Sequence, residues 1–105
     1  MLEEKKILSS ISNYFKKYRD MGYPIYIERR QAGGFAYKEG AADLYVVING
    51  QHIEIETKAS TGKQRSMQIK WQQRCEKEWN ITYILAYDLK TVKEKMESMF
   101  PTIFK

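Results

Sequence analysis

The dipeptide Asn49-Gly50 constrains this chain more than any other feature, because it sits between two β-rich runs, Asp43-Leu44-Tyr45-Val46-Val47-Ile48 and Gln51 to Lys58. Asn-Gly in that setting is the favoured two-residue type I′ turn, since both central residues must take positive φ. A two-residue turn fixes the register of everything behind it. Ile48 then stands opposite Gln51, Val47 opposite His52, Tyr45 opposite Glu54 and Asp43 opposite Glu56. Side chains alternate along a strand, so Glu54, Glu56 and Lys58 share one face while Ile53, Ile55 and Thr57 share the other. Asp43 joins the charged face roughly 5 Å from Glu56 between β-carbons, where like charges destabilise the pair.

A shared proton, Lys58 next along the strand, or a bound divalent cation could each offset that repulsion. Only the cation makes a working unit of two carboxylates and a lysine. Mg²⁺ takes hard oxygen ligands and commonly one or two protein carboxylates, which Asp43 and Glu56 supply, and the backbone carbonyl of Thr57 could add another oxygen. A cation there would acidify a bound water, and the Lys58 ammonium could orient it or stabilise charge on an attacked phosphate, which is phosphodiester hydrolysis. The same residues also fit a solvated hairpin face on which Lys58 is merely a counter-ion.

The rest of the chain supplies a frame for that hairpin. Residues 3–20 place Ile7, Leu8, Ile11, Phe15 and Tyr18 at helical spacing, with most lysines on the other side. Glu4 falls near the centre of that apolar stripe and Glu3 toward its flank, although a first-turn acid favoured by the helix dipole explains either. Met21-Gly22-Tyr23-Pro24 ends the helix, Ile25 to Arg30 reads as a strand, and a loop with Gly33-Gly34, Phe35, Tyr37 and Lys38 runs to about Gly40. After a loop at residues 59–62, a second helix spans about Arg65 to Trp79, with Met67, Trp71, Cys75 and Trp79 recurring every four residues and Gln68 beside them. Thr82 to Tyr87 is apolar nearly throughout and so is expected inside the sheet. A last helix from Leu89 carries Val92, Met96, Met99 and Phe100 before Pro101. The expected fold class is α/β, a single mixed β-sheet flanked by helices in the order αβββαβα.

Composition narrows the function classes. A chain of 105 residues, 43% hydrophobic and 30% charged, has room for one domain with a real core and one site. Burial at this size is incomplete, so a second subunit covering more apolar area would help, and a homodimer is expected. The net charge of +5 favours an anionic partner. No apolar run approaches the ~20 residues of a membrane span, and the N-terminus has no signal-peptide pattern, so a soluble, intracellular protein is expected. The single Cys75 can form neither an intramolecular disulfide nor a thiolate zinc site. His52, the sole histidine, lies ~13 Å along the strand from Glu56, too far for a shared ion. Ser9, Ser10 and Ser66 have no base pattern beside them, and Gly62-Lys63-Gln64 lacks the glycine spacing of a phosphate loop.

Gly40-Ala41-Ala42-Asp43-Leu44, then Glu56-Thr57-Lys58 across the hairpin, then Gln68-Ile69-Lys70-Trp71, together resemble the PD-(D/E)xK nuclease superfamily. The particular branch they resemble is the virus-type replication-repair nuclease, VRR-NUC, whose pattern runs from a helical Glu through G-x-P-D-L and E-x-K to Q-x-x-W. The match spans residues from about 4 to 87, with Ala42 where the family commonly has Pro. The resemblance implies a restriction-endonuclease-like core over residues 1–105 and a Mg²⁺- or Mn²⁺-dependent endodeoxyribonuclease. It implies Asp43 and Glu56 as metal ligands, Lys58 as catalytic lysine, Glu4 as a helix acid reaching the metal directly or through water, and Gln68 as a site-facing helper. It also implies DNA as partner, branched or Holliday-type junctions as substrate, and a homodimer presenting two sites. Lone single-domain members of such a branch are often carried by bacteriophages, which would place this one in a bacterial cytoplasm.

Phosphate contacts would come from Arg29, Arg30, Lys38, Lys63, Arg65, Lys70 and Arg74, which flank the proposed site in sequence. No recognition helix or zinc module accompanies them, so nucleic-acid shape rather than base order is expected to be read. Two rival classes remain: a non-catalytic nucleic-acid-binding module with this fold, and a dimeric interaction protein that binds no nucleic acid.

Overall fold

Asn49 and Gly50 both take positive φ, 53° and 83°, so the turn is the left-handed pair the dipeptide encodes. In the computed structural model, which describes residues 2–30 and 40–105, β2 (Leu44–Ile48) pairs antiparallel with β3 (Gln51–Thr57). Ile48 faces Gln51, Val47 faces His52 and Tyr45 faces Glu54, the register expected from the turn. Lys38 and the loop residues Gly33, Gly34, Phe35 and Tyr37 lie outside the described residues.

Around this hairpin the order is α1 (Leu2–Asp20), β1 (Ile25–Arg29), β2, β3, α2 (Ser66–Lys77), β4 (Thr82–Ala86) and α3 (Leu89–Met99). Glu3 and Glu4 in the first turn of α1 and Lys17 and Arg19 in its last turn complement the helix dipole. Among the described residues four strands form one mixed sheet, β1-β2-β3-β4, in which β3 and β4 run parallel, joined by the α2 crossover, and the other neighbours antiparallel. One face packs the main core: Ile11 and Phe15 of α1, Leu44, Val46, Ile53 and Ile55 of the hairpin, and Val92 and Met96 of α3. Phe104 closes it beyond α3. No helix among the described residues is long and apolar enough to cross a membrane.

One local expectation is overturned, and one alternative reading of the hairpin fails. β4 is an edge strand, not an internal one. Its apolar run reflects two covered faces, with Ile84 and Ala86 in the main core and Tyr83 and Leu85 beneath α2 beside Ala42 and Cys75. The charged hairpin face is likewise not solvated: Glu54 and Glu56 are each 2% exposed. α2 covers it, and the buried seam of that helix runs through Gln68 and Cys75, whereas Met67 and Trp79 are exposed. Trp79 lies beyond the helix end.

Candidate active site

Asp43 stands one step beyond the last residue of the β1–β2–β3 pairing, at the mouth of the hairpin. Its Oδ2 accepts two hydrogen bonds from Thr57, one from the backbone N–H and one from the hydroxyl, both at 2.9 Å. Those bonds hold the carboxyl against β3, where its charge acts on Glu56. The hairpin register has therefore brought the two acids together.

Among the acids of the described residues, Glu56 is the most perturbed. Burial first, then the adjacent charge of Asp43, push its carboxyl from 4.5 up to about 8, with Lys58 pulling the other way. The nearness of the Asp43 carboxyl and the charge of Glu4 add to the rise. Its Oε2 accepts a hydrogen bond from Gln68 Nε2 at 3.0 Å and lies 3.8 Å from Lys58 Nζ. Its Oε1 is buried with no partner. Gln68 is itself held, since its Oε1 accepts the N–H of Arg65 at 2.8 Å at the start of α2. The amide thus spans from the helix end to the acid, which fixes its orientation.

Lys58 is buried, and its stem is packed by the turn at residues 59–62, where Gly62 N–H donates to the Ala59 carbonyl at 2.8 Å. The Tyr87 hydroxyl donates to the Gly62 carbonyl at 3.2 Å and ties that turn to the end of β4. Gly40, at φ +85°, passes so close to α2 that an added Cβ would lie 2.5 Å from the Met67 carbonyl oxygen. That approach is what lets the chain enter β2 beside the N-terminus of α2.

The donor set fits a small divalent cation. An unpartnered buried carboxylate oxygen on Glu56 and the neighbouring Asp43 carboxyl are hard oxygens of the kind Mg²⁺ or Mn²⁺ requires. No group of three or more His, Cys, Asp or Glu side chains among the described residues could hold an ion together. Glu4, half-buried on α1, is close enough to act electrostatically on Glu56, whereas Glu3 is exposed. Asp43 and Glu56 are thus the two carboxyls brought together here, with Glu4 acting on Glu56 through its charge.

The expected cationic residues divide. Arg29, Lys63, Arg65 and Lys70 are exposed. Arg74 pairs with Glu78 at 3.3 Å and lies over the Trp79 ring. Arg30 is committed to the buried Glu54, 2.8 Å away. Sequence reasoning missed Glu54 and the part played by Trp71, whose Nε1 donates to Glu54 Oε1 at 2.9 Å. The signals were present: Glu54 shares the face of Glu56, and Trp71 lies one helical turn beyond Gln68.

No protein-family model matches the chain, and no curated protein matches it. A solved structure described as "VRR_NUC domain" aligns over 93% of this chain and 97% of its own, with a TM-score of 0.70 and 18% sequence identity. At that identity the likeness speaks for the backbone and not for the side chains. It agrees with the mixed four-stranded sheet, its α2 crossover and its flanking helices, and this chain has the fold of that VRR_NUC domain.

Proposed function

We propose that this protein is a divalent-metal-dependent endonuclease that hydrolyses DNA phosphodiester bonds at branched or otherwise structured sites. The observation that carries the reading is Glu56: a buried carboxylate with one oxygen held by Gln68, the other unpartnered, and Asp43 alongside. Asp43 and Glu56 would hold Mg²⁺ or Mn²⁺, with the Thr57 carbonyl and Glu4, through water, as further donors. The cation, when bound, supplies Lewis acidity toward water and the phosphate.

The chain's own residues do the rest. Thr57 and Gln68 fix the two carboxylates before substrate arrives, which removes reorganisation from the reaction. Lys58, 3.8 Å from Glu56, is too far for a tight ion pair and has ammonium hydrogens to offer to the attacked phosphate. Exposed Arg29, Lys63, Arg65 and Lys70, together with Lys38, would grip phosphates on either side of the cleaved bond. Phosphate contacts carry no base information, which supports selectivity for DNA shape. A homodimer would offer two such sites to a two-fold junction, and a phage-borne enzyme would work in the host cytoplasm.

One observation favours a second reading. A carboxyl pushed up to about 8 is protonated at neutral pH, so a proton shared with Asp43 would reconcile the two acids in a binding module that cuts nothing. Cleavage of a panel of branched and linear DNAs with Mn²⁺ separates the two. The nuclease cuts at least one branched substrate, and Lys58→Ala lowers the rate by about 10²-fold or more. A protein that cuts none of them, yet binds DNA with a steep salt dependence, is the binding module.

A further inference from the structure

We infer that Glu54, clamped by Arg30 and Trp71, is a positioning residue that sets where Asp43 and Glu56 meet. The consequence for metal binding rests on the nuclease reading, but the geometry does not. Glu54 lies on the same face of β3 as Glu56, at 2% exposure, and a carboxylate is rarely buried so deeply without a task or a partner. It has two partners on one oxygen: Arg30 Nη1 at 2.8 Å and Trp71 Nε1 at 2.9 Å.

Each partner leads to a different arm of the site. Arg30 donates its backbone N–H to the carbonyl of Asp43 at 2.9 Å, so the residue that grips Glu54 with its guanidinium grips the Asp43 main chain with its amide. The guanidinium carbon also lies over the Tyr45 ring, 5.0 Å from its centroid, and Tyr45 is the residue directly across from Glu54. Trp71 lies one turn along α2 from Gln68, the residue that donates to Glu56. A single carboxylate therefore ties the β1 exit, and with it Asp43, to the helix that orients Glu56. Stability alone gives little reason for the arrangement, because apolar residues of similar volume commonly replace a buried ion pair at no cost. Groups that orient metal-binding carboxylates, by contrast, commonly change affinity when removed.

The double variant Arg30→Met/Glu54→Leu removes both charges without leaving either one stranded. Amide exchange of the Thr57 N–H, which donates to Asp43 Oδ2, reports the placement of Asp43 without any metal, and the Lys58 N–H, which donates to the Ala86 carbonyl, is the internal control. Thr57 exchange is expected to rise by about 10-fold while Lys58 changes by less than about 2-fold. Mn²⁺ affinity is expected to fall by about 10- to 100-fold. Wild-type Thr57 exchange in a folded double variant overturns the inference. If wild type binds no Mn²⁺ but Thr57 still responds, the nuclease reading fails and the positioning role stands. Should the double variant not fold, Glu54→Gln, which keeps the shape and an acceptor oxygen, is measured in the same way. A rise of about 3-fold at Thr57 is then expected, and an unchanged rate overturns the inference.

Discussion

Replacing Glu56 with glutamine should stabilise the metal-free protein at alkaline pH, although it removes a residue placed at the centre of the site. The folded state holds the carboxyl at about 8 against an ordinary 4.5, so between those values the folded protein keeps a proton that the unfolded chain has released. The favourable contribution is complete below pH 4.5 and is lost as pH rises through about 8. At about 1.4 kcal/mol per pH unit, that window bounds the loss at about 5 kcal/mol. Glu56→Gln keeps the shape of the protonated acid, can still accept from Gln68, and does not titrate. Urea unfolding in EDTA at pH 5, 7 and 9 tests this. Subtracting variant from wild type cancels the other titrating groups: the difference is small at pH 5 and reaches several kcal/mol in favour of Gln at pH 9, within the bound above. Adding Mn²⁺ at pH 9 restores the wild type and leaves the variant unmoved. Parallel stability curves for the two proteins would refute the reasoning, because they would mean that Glu56 is not held protonated beside Asp43.

Gly40→Ala is expected to cost about 2–4 kcal/mol, from left-handed backbone strain plus a contact with the Met67 carbonyl that backbone must move to relieve. Thermal melts should show a Tm lower by roughly 10 °C or more. Gln68→Leu removes the donor to Glu56 and the acceptor for the Arg65 N–H, and should cost about 1–3 kcal/mol by urea unfolding at pH 7.

Much of this was legible in the sequence because Asn49-Gly50 leaves the hairpin no freedom: two residues of turn set which side chains face one another as far as Leu44 and Ile55, and the chain just beyond brings Asp43 near Glu56. Gln68 was legible from helical spacing and the family pattern. What the sequence hid was coverage. Glu54 and Glu56 look like a solvated face when strands are read one at a time, because nothing in a strand's alternation says whether a helix will lie across it. The same gap placed Met67 and Trp79 in the seam of α2, which is occupied instead by Gln68 and Cys75. A polar residue that satisfies a buried carboxylate packs inward as well as an apolar one does. β4 misled for a related reason, since two buried faces make a strand apolar even at the edge of a sheet. Arg30 reads in sequence as one more cation beside Arg29, and only the fold sets its guanidinium against Glu54.

Calorimetric titration of Mn²⁺ into the protein at pH 7, in two buffers of different ionisation enthalpy, tests the central claim most directly. A carboxyl at about 8 is mostly protonated at pH 7, so an ion taken up between Asp43 and Glu56 must expel most of a proton into the buffer. The predicted result is one binding event whose heat differs between buffers by that amount, absent in Asp43→Asn. Binding without proton release, or no binding at all, would contradict it.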